Sequence, residues 1–440
     1  MPSRAASGAR RTGMTRGFLA PALTALVSLS LIVSLLSIPA TVHSADDIQG
    51  ALQKATEYFM AHQNPDGGYG PYAGDGEARV PNVSDVGITA LVVYALARHP
   101  ARYKPEDGPW LSRAVDYLLS KQQPDGAFYD PRDPALKNYR TSVVILALSA
   151  LDPARYSEAI EKARRYVTGL QHDESSRYAP DEHISFGGIA YGGSSVRPDL
   201  SNSGLAAEAL WESGTSASHP LWRRLEVFVS RCQNMPDVPP LLERAGIGTT
   251  GDGGFRYAPN DTRGPVESLD GKRVFSSYGS MTYQGLKSLL YAGVKRDDPR
   301  VAKAFEWISR NFTVKENPGM ATDLDPQAGK QGYFYYVHTM AKCLSVYGEP
   351  RLRDARGVEH DWARELSGHL LAIQKEDGSW VNESDRWWEN LETLDTAFAM
   401  VTLSICRDEM AKQARAAEEA EPAEESADGA PEGESARARG

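Results

Sequence analysis

Gln63-Asn64-Pro65-Asp66-Gly67-Gly68-Tyr69 is a phrase that returns as Gln122-Gln123-Pro124-Asp125-Gly126-Ala127-Phe128 and as Gln374-Lys375-Glu376-Asp377-Gly378-Ser379-Trp380. The shared pattern is Gln, two residues, Asp-Gly, one residue and an aromatic. Degenerate copies follow Gln171, with Phe186-Gly187-Gly188-Ile189-Ala190-Tyr191 after an insertion, and Gln233, with Asp252-Gly253-Gly254-Phe255-Arg256-Tyr257. Asp-Gly predicts a turn, because glycine accepts the left-handed geometry that a helix end needs. The aromatic is expected to plug the gap between neighbouring units.

A second register follows each phrase. Thr or Ser stands seven residues before Leu at Thr89/Leu96, Thr141/Leu148, Ser203/Leu210, Thr282/Leu289 and Thr396/Leu403, and Val337/Leu344 keeps the Leu. Internal repeats of this kind mark architectures in which each unit buries its apolar face against the next. One helix of a unit is amphipathic, as over Ile48 to Met60. The next, as over Asp85 to Ala97, is apolar nearly all round, with Val86, Ile88, Leu91, Val92, Val93 and Leu96, and a helix of that kind is buried. Six such pairs predict an all-α fold, an α/α toroid (α6/α6 barrel) of about six helix-pair repeats. An open superhelix of helix pairs is the alternative.

The chain has 440 residues and a formal net charge of -10. Residues 1–44 hold four arginines and no acid, leaving 44 basic against 58 acidic residues beyond them. That balance disfavours nucleic acid as a partner, since phosphate binding needs clustered Lys and Arg. Arg4, Arg10, Arg11 and Arg16 precede an apolar run, Phe18 to Ala40, and then Val42-His43-Ser44-Ala45. This layout predicts an export signal over 1–44, cut after Ser44, and hence a periplasmic or secreted protein. An uncleaved membrane anchor at 18–40 is the alternative, and no other stretch is long enough to span a bilayer. Residues 45–410 are assigned to the toroid. Residues 411–440, rich in Ala, Glu, Pro and Gly, are expected to be a disordered acidic tail. Cys232, Cys343 and Cys406 form no C-x-x-C pair and no metal spacing and read as buried thiols. No cofactor or metal is expected.

At this point the resemblance is plain. The phrase ending in Trp380 resembles the repeat of squalene–hopene and oxidosqualene cyclases, and the toroid it implies is similar to the β subunits of protein prenyltransferases. Residues 48–406 are identified as a member of the prenyltransferase/squalene oxidase (terpene cyclase-like) repeat family. Glu316-Asn317-Pro318-Gly319-Met320 and Gln331-Gly332-Tyr333-Phe334-Tyr335-Tyr336-Val337-His338-Thr339 also resemble bacterial secreted proteins with such repeats. Class II cyclases of this family carry a D-x-D-D-T-A motif whose middle Asp protonates the substrate. Glu392-Thr393-Leu394-Asp395-Thr396-Ala397 is the counterpart here, and the proton-donor position holds Leu394. Asp323-Leu324-Asp325-Pro326 is a weaker match and reads as a turn. The Asp-x-Cys zinc site of prenyltransferases and the Cys-Gly-Glu-Gln stretch of thioester toroids do not occur.

In a closed toroid the first turns of the inner helices meet at one mouth, which would bring Asp85, Asp199, Tyr278, Tyr333 and Glu392 to its rim and Asn202, Tyr336, His338 and Asp395 one turn inward, with Asp85, Asp199, Asn202, Tyr278, Tyr333 and Tyr336 as cavity-lining residues. Asp85 and Asp199 also stand where helices begin, so each equally reads as an N-cap. Asp395 lies inside an apolar run; a buried carboxyl there would keep its proton and could donate it. Asp395, Glu392 and His338 are therefore the catalytic candidates. Three functions fit: a scaffold or binding protein for an apolar isoprenoid-type small molecule or a protein partner, a terpenoid cyclase-like isomerase or lyase using Asp395, and a secreted carbohydrate-active α/α toroid with paired acids.

Overall fold

A computed structural model of the chain describes residues 44–70, 83–192 and 195–420. The expected export signal, apart from Ser44, and residues 421–440 of the expected tail lie outside the described residues. Thirteen α-helices fall within them: α1 (Ala45–Ala61), α2 (Val86–Arg98), α3 (Pro109–Ser120), α4 (Lys137–Leu151), α5 (Ser157–Thr168), α6 (Leu200–Glu212), α7 (Leu221–Cys232), α8 (Pro240–Arg244), α9 (Gly279–Tyr291), α10 (Pro299–Arg310), α11 (Tyr333–Tyr347), α12 (Trp362–Ala372) and α13 (Glu392–Ala420). None is long and apolar enough to cross a membrane. Three antiparallel hairpins sit in the connections: β1 (Ala190–Gly192) with β2 (Ser195–Pro198), β3 (Val266–Leu269) with β4 (Lys272–Phe275), and β5 (Arg351–Arg353) with β6 (Glu359–Asp361).

The apolar helices pack in the order α2–α4–α6–α9–α11–α13, and α13 returns to α2. That ring is closed, so the toroid replaces the open superhelix. The amphipathic helices α1, α3, α5, α7, α10 and α12 pack outside it. Ala90, Val92, Val93, Ala95 and Leu96 of α2 are fully or nearly fully buried, as expected of a helix enclosed on every side.

The repeated phrase is the device that joins units. Gln63 donates its side-chain amide to the carbonyl of Gly67 at 2.8 Å and to that of Trp110, in the first turn of α3, at 2.6 Å. Gln122, Gln171 and Gln233 reach Ala159, Leu221 and Arg300 of the next outer helices in the same way. Gln374 reaches Ala51 of α1 at 3.0 Å, joining the last unit to the first. The Asp of the phrase accepts the N–H two residues on, as Asp377 does from Ser379 at 3.0 Å. The plug residues Tyr69, Phe128, Ile189, Phe255 and Trp380 are fully buried. Each donates its backbone N–H to the register hydroxyl: Thr89, Thr141, Ser203, Thr282 and Thr396, at 2.8–3.0 Å. The two sequence registers are thus the two halves of one hydrogen-bonded joint. The connection from α10 to α11 lacks the phrase, and Val337 has no hydroxyl to receive it.

Two features mark the ends of the toroid. Helix α13 runs on to Ala420, ten residues past the assigned end of the toroid at 410, because the Ala- and Glu-rich segment after Lys412 has strong helix propensity. At the other end Ser44 caps α1: its hydroxyl accepts the N–H of Asp47 at 3.2 Å while the Asp47 carboxylate takes the Ser44 N–H at 2.7 Å.

Candidate functional site

The inner ring encloses a cavity of about 760 Å³. Its lining follows the register hydroxyls. Two residues before each register position stand Gly87, Tyr139, Ser201, Ser280, Tyr335 and Leu394, and all six line the cavity. Two residues after stand Leu91, Val143, Leu205, Gln284, Thr339 and Phe398, and these line it too. Five residues after stand Tyr94, Leu146, Glu208, Lys287, Lys342 and Val401; the first four face the cavity and the layer closes its floor. Steps of three and four residues keep one helix face toward the centre. The cavity opens where the inner helices begin, beside the exposed Trp387 and Trp388.

This geometry sorts the residues expected at the site. Asp85, Tyr278 and His338 line the cavity. Asn202, Tyr336 and Asp395 stand one residue before the register, about 100° round the helix from the lining position, and do not line it. Tyr333 also turns outward. Tyr333 and Tyr336 donate their phenols to the carbonyls of Val314 and Thr313 at 2.8 and 2.6 Å. Asp199 is the N-cap of α6, accepting the N–H of Asn202 at 2.8 Å, and lies behind the wall. Asp85 caps α2 at the N–H of Ile88 and pairs with Arg140 at 2.7 Å. Glu392 pairs with Lys375 at 2.9 Å on the outside.

Asp395 is fully buried, and its Oδ2 accepts the N–H of Asn382 at 2.8 Å while Oδ1 has no partner. Burial and then the nearby Glu389 carboxyl push its pKa well above the ordinary carboxyl range. It has no access to the cavity. The residue of the motif that does face the cavity is Leu394. No hydrogen bond joins His338 to Asp395; its ring packs on Phe398, with centroids 5.1 Å apart. Burial, reinforced by the Lys342 charge, holds that imidazole neutral.

Three features were not legible as site residues. The first is Glu389, in the loop before α13. It lines the cavity and accepts the N–H groups of Phe334 and Tyr335 at 3.1 and 2.8 Å, at the start of α11. Burial raises its pKa to about 7 against those hydrogen bonds. The second is a chain of hydroxyls at the mouth. Tyr139 and Tyr335 both hydrogen-bond Ser201, at 3.1 and 2.9 Å, and Tyr191 meets Tyr257 at 2.6 Å, which donates to Asp199 at 2.8 Å. The third is the floor, where Glu208 takes an ion pair from Lys287 and another from Lys342, and Lys342 also donates to Tyr94 at 2.7 Å. Their common spacing, five residues after Ser203, Thr282 and Val337, was the available signal. Among the described residues no group of three or more His, Cys, Asp or Glu is arranged to hold a metal ion.

Glu389 makes a pH prediction. Its folded pKa lies above the ordinary value, so the folded chain binds this proton more tightly than the unfolded chain. That stability is complete below about pH 4.5 and is lost as pH rises to about 7. The loss is on the order of 3 kcal/mol. Urea unfolding across this range should fall in midpoint for the native chain and fall less for Glu389→Gln; parallel curves would place the titration elsewhere.

The comparisons agree with this architecture. The family pattern of the squalene–hopene cyclase C-terminal domain matches residues 30–233. Drimenyl diphosphate synthase of Streptantibioticus cattleyicolor is 37% identical over 86 residues, which cover 19% of this chain and 13% of that protein. Drimenyl diphosphate synthase of Streptomyces showdoensis is 31% identical over 124 residues, covering 28% of this chain and 20% of that protein. The match thus spans a fifth or less of the length of these curated relatives. Among solved structures, the type II terpene cyclase MstE from Scytonema shares 15% identity over 83% of this chain and 100% of its own, with a TM-score of 0.52. A variant of MstE in complex with geranylgeranyl dihydroxybenzoate shares 16% identity over 83% of this chain and 98% of its own, with a TM-score of 0.51. A family 76 glycoside hydrolase from a bovine Bacteroides thetaiotaomicron strain shares 10% identity over 82% of this chain and 78% of its own, with a TM-score of 0.50. With its repeated glutamine clamps and closed ring of six inner helices, the chain is built as an α/α toroid and is similar, over residues 30–233, to the squalene–hopene cyclase C-terminal domain.

Proposed function

We propose that the toroid holds an apolar, isoprenoid-type molecule in its central cavity and does not cyclise it by protonation. The observation that carries this reading is the lining. The middle ring of the wall is four parts hydrocarbon, with Leu91, Val143, Leu205 and Phe398, and Leu394 stands in the upper ring where the cyclase motif puts its acid. A volume of about 760 Å³ lies within the roughly 300–1,000 Å³ of small-molecule sites. The relatives named for drimenyl diphosphate synthesis and the MstE complex with a geranylgeranyl compound favour the same substrate class. A glycan-cleaving site is less well supported. It needs two free carboxyls across a groove, whereas Asp85 and Asp133 share Arg140, Asp130 pairs with Lys121 and Arg132, and Glu208 lies between two lysines.

Native mass spectrometry with lipid extraction, on the chain purified from its own envelope fraction, tests the binding. An isoprenoid should accompany the native chain and be lost from Leu205→Trp, which fills the middle ring. A ligand-free mass for the native chain would end this reading. Incubation with a polyprenol in heavy water tests the chemistry, because cyclisation started by protonation leaves one deuterium on carbon. No label is expected. Label that disappears with Glu389→Gln would restore an active cyclase, with Glu389 as its acid.

The arginines before Phe18 to Ala40, and the small residues after, support a site of action outside the cytoplasm. Cleavage after Ser44 would remove the cap of α1, at a cost of about 1 kcal/mol. A mature N-terminus at Ala45 is expected from intact mass; a soluble cytoplasmic chain that retains residues 1–44 would refute export.

A further inference from the structure

The lower half of the cavity is not uniform. Its α2 and α4 side is Leu91, Val143 and Leu146 with the Tyr94 ring, whereas its α9 and α11 side presents Gln284, Lys287 and His338. Gln284 is 2% exposed and His338 8%, and neither side chain has a hydrogen-bond partner; the Gln284 amide nitrogen and His338 Nδ1 are buried without one. Natural proteins rarely leave such groups unpaired, because a buried donor without an acceptor loses its bonds to water and gains none in return. The Gln284 amide lies over Gly204, where a Cβ would come within 1.9 Å of its nitrogen, so a glycine on α6 makes room for it. Beneath them Lys287 and Lys342 both pair with Glu208. Lys342 has a second ion-pair partner in the part-exposed Glu212 at 3.7 Å, whereas Glu208 is the one ion-pair partner of Lys287 among the described residues.

We infer that the floor is a headgroup subsite: His338 and Gln284, beside the Lys287 ammonium, receive the carboxylate of a ligand whose hydrocarbon tail extends up the cavity toward Trp387 and Trp388. This rests on the apolar-cavity reading and adds the ligand's polarity and direction. The unpaired donors supply the hydrogen bonds, the adjacent Lys287 ammonium supplies the sign, and the largely apolar wall opposite takes the chain. The subsite thus selects an isoprenoid acid over an isoprenoid alcohol or hydrocarbon.

Calorimetric titration of the purified full chain with a twenty-carbon polyprenyl carboxylic acid, its alcohol and the parent hydrocarbon tests the assignment. The acid should bind roughly tenfold more tightly than the alcohol. Gln284→Leu and His338→Phe, which keep volume and leave the ion pairs in place, should each erase most of that preference while the alcohol's affinity holds. Equal affinity for all three probes, or a preference that survives both substitutions, would overturn the headgroup subsite and leave the apolar cavity standing. Failure of every probe to bind would overturn both. Thermal unfolding of each variant, unchanged from the native chain, separates these outcomes from loss of the fold.

Discussion

Glu208→Ala should cost the fold roughly 3–5 kcal/mol, because it strands two lysines in the floor of the toroid. Lys287 and Glu208 are each 2% exposed and Lys342 is 5% exposed at the side chain. Burial alone would raise the carboxyl pKa, but the two ammonium groups outweigh it and hold Glu208 ionised. Glu208 likewise holds Lys342 protonated against burial. With the carboxylate gone, two buried positive charges face one another, offset only by the part-exposed Glu212 at 3.7 Å from Lys342. Urea denaturation at neutral pH measures the loss, and a change under 1 kcal/mol would mean that water reaches the cluster. The combined change Glu208→Leu, Lys287→Met and Lys342→Met removes the three buried charges together, leaves only the part-exposed Glu212, and should recover most of the stability, since apolar replacement of a buried ionic group is often neutral or better. The pH dependence has a definite sign. The folded pKa of Glu208 is depressed, so its contribution is present above the ordinary carboxyl range and is lost as pH falls below it.

Gly187→Ala is the second large effect. Gly187 is the turn glycine of a degenerate copy of the repeated phrase, with φ of +85°, and an added Cβ would lie 1.8 Å from the Arg224 carbonyl oxygen of α7. The left-handed backbone alone costs a side chain about 1–2 kcal/mol, and relieving the contact by moving α7 adds about 1–3 kcal/mol. Gly214 is the control. It has φ of +83°, but an added Cβ would meet nothing within 4 Å, so Gly214→Ala should show the backbone cost alone. Equal melting temperatures for the two variants would show that the close approach of turn and helix does not matter.

The repeat was readable because two separate constraints mark it. The turn glycine sits against a helix backbone that tolerates no Cβ, and the register Thr or Ser must carry a hydroxyl to hold the plug residue's N–H. Both leave residue-level traces, so the number of units, their order and the layering were available from the chain. The site was less readable because it depends on which face of each inner helix turns inward, and inner helices are apolar on every face. Asp395 and Leu394 illustrate the difficulty. They are neighbours, both suit a buried helix, and one step of helical rotation decides which meets the cavity. Glu389 was hidden for another reason: it stands in a connecting loop, and its place over α11 comes from contacts far away in sequence. The lysines of the floor did leave a trace, two charges at one height in helices otherwise hydrocarbon, which becomes visible once the units are aligned.

The bond from Gln374 to the Ala51 carbonyl has a consequence for how the chain comes apart. A linear stack of n units has n − 1 junctions, and an end unit can peel away by breaking one of them. A ring has as many junctions as units, and every unit is held on both sides. Removing any one unit breaks two junctions at once, and there is no end from which fraying can start. The toroid should therefore melt as a single cooperative body, with amide exchange in α1 and α12 as slow as in helices midway along the chain. Gln374→Ala weakens the one seam that joins first unit to last, converting the ring toward a stack whose two ends open first.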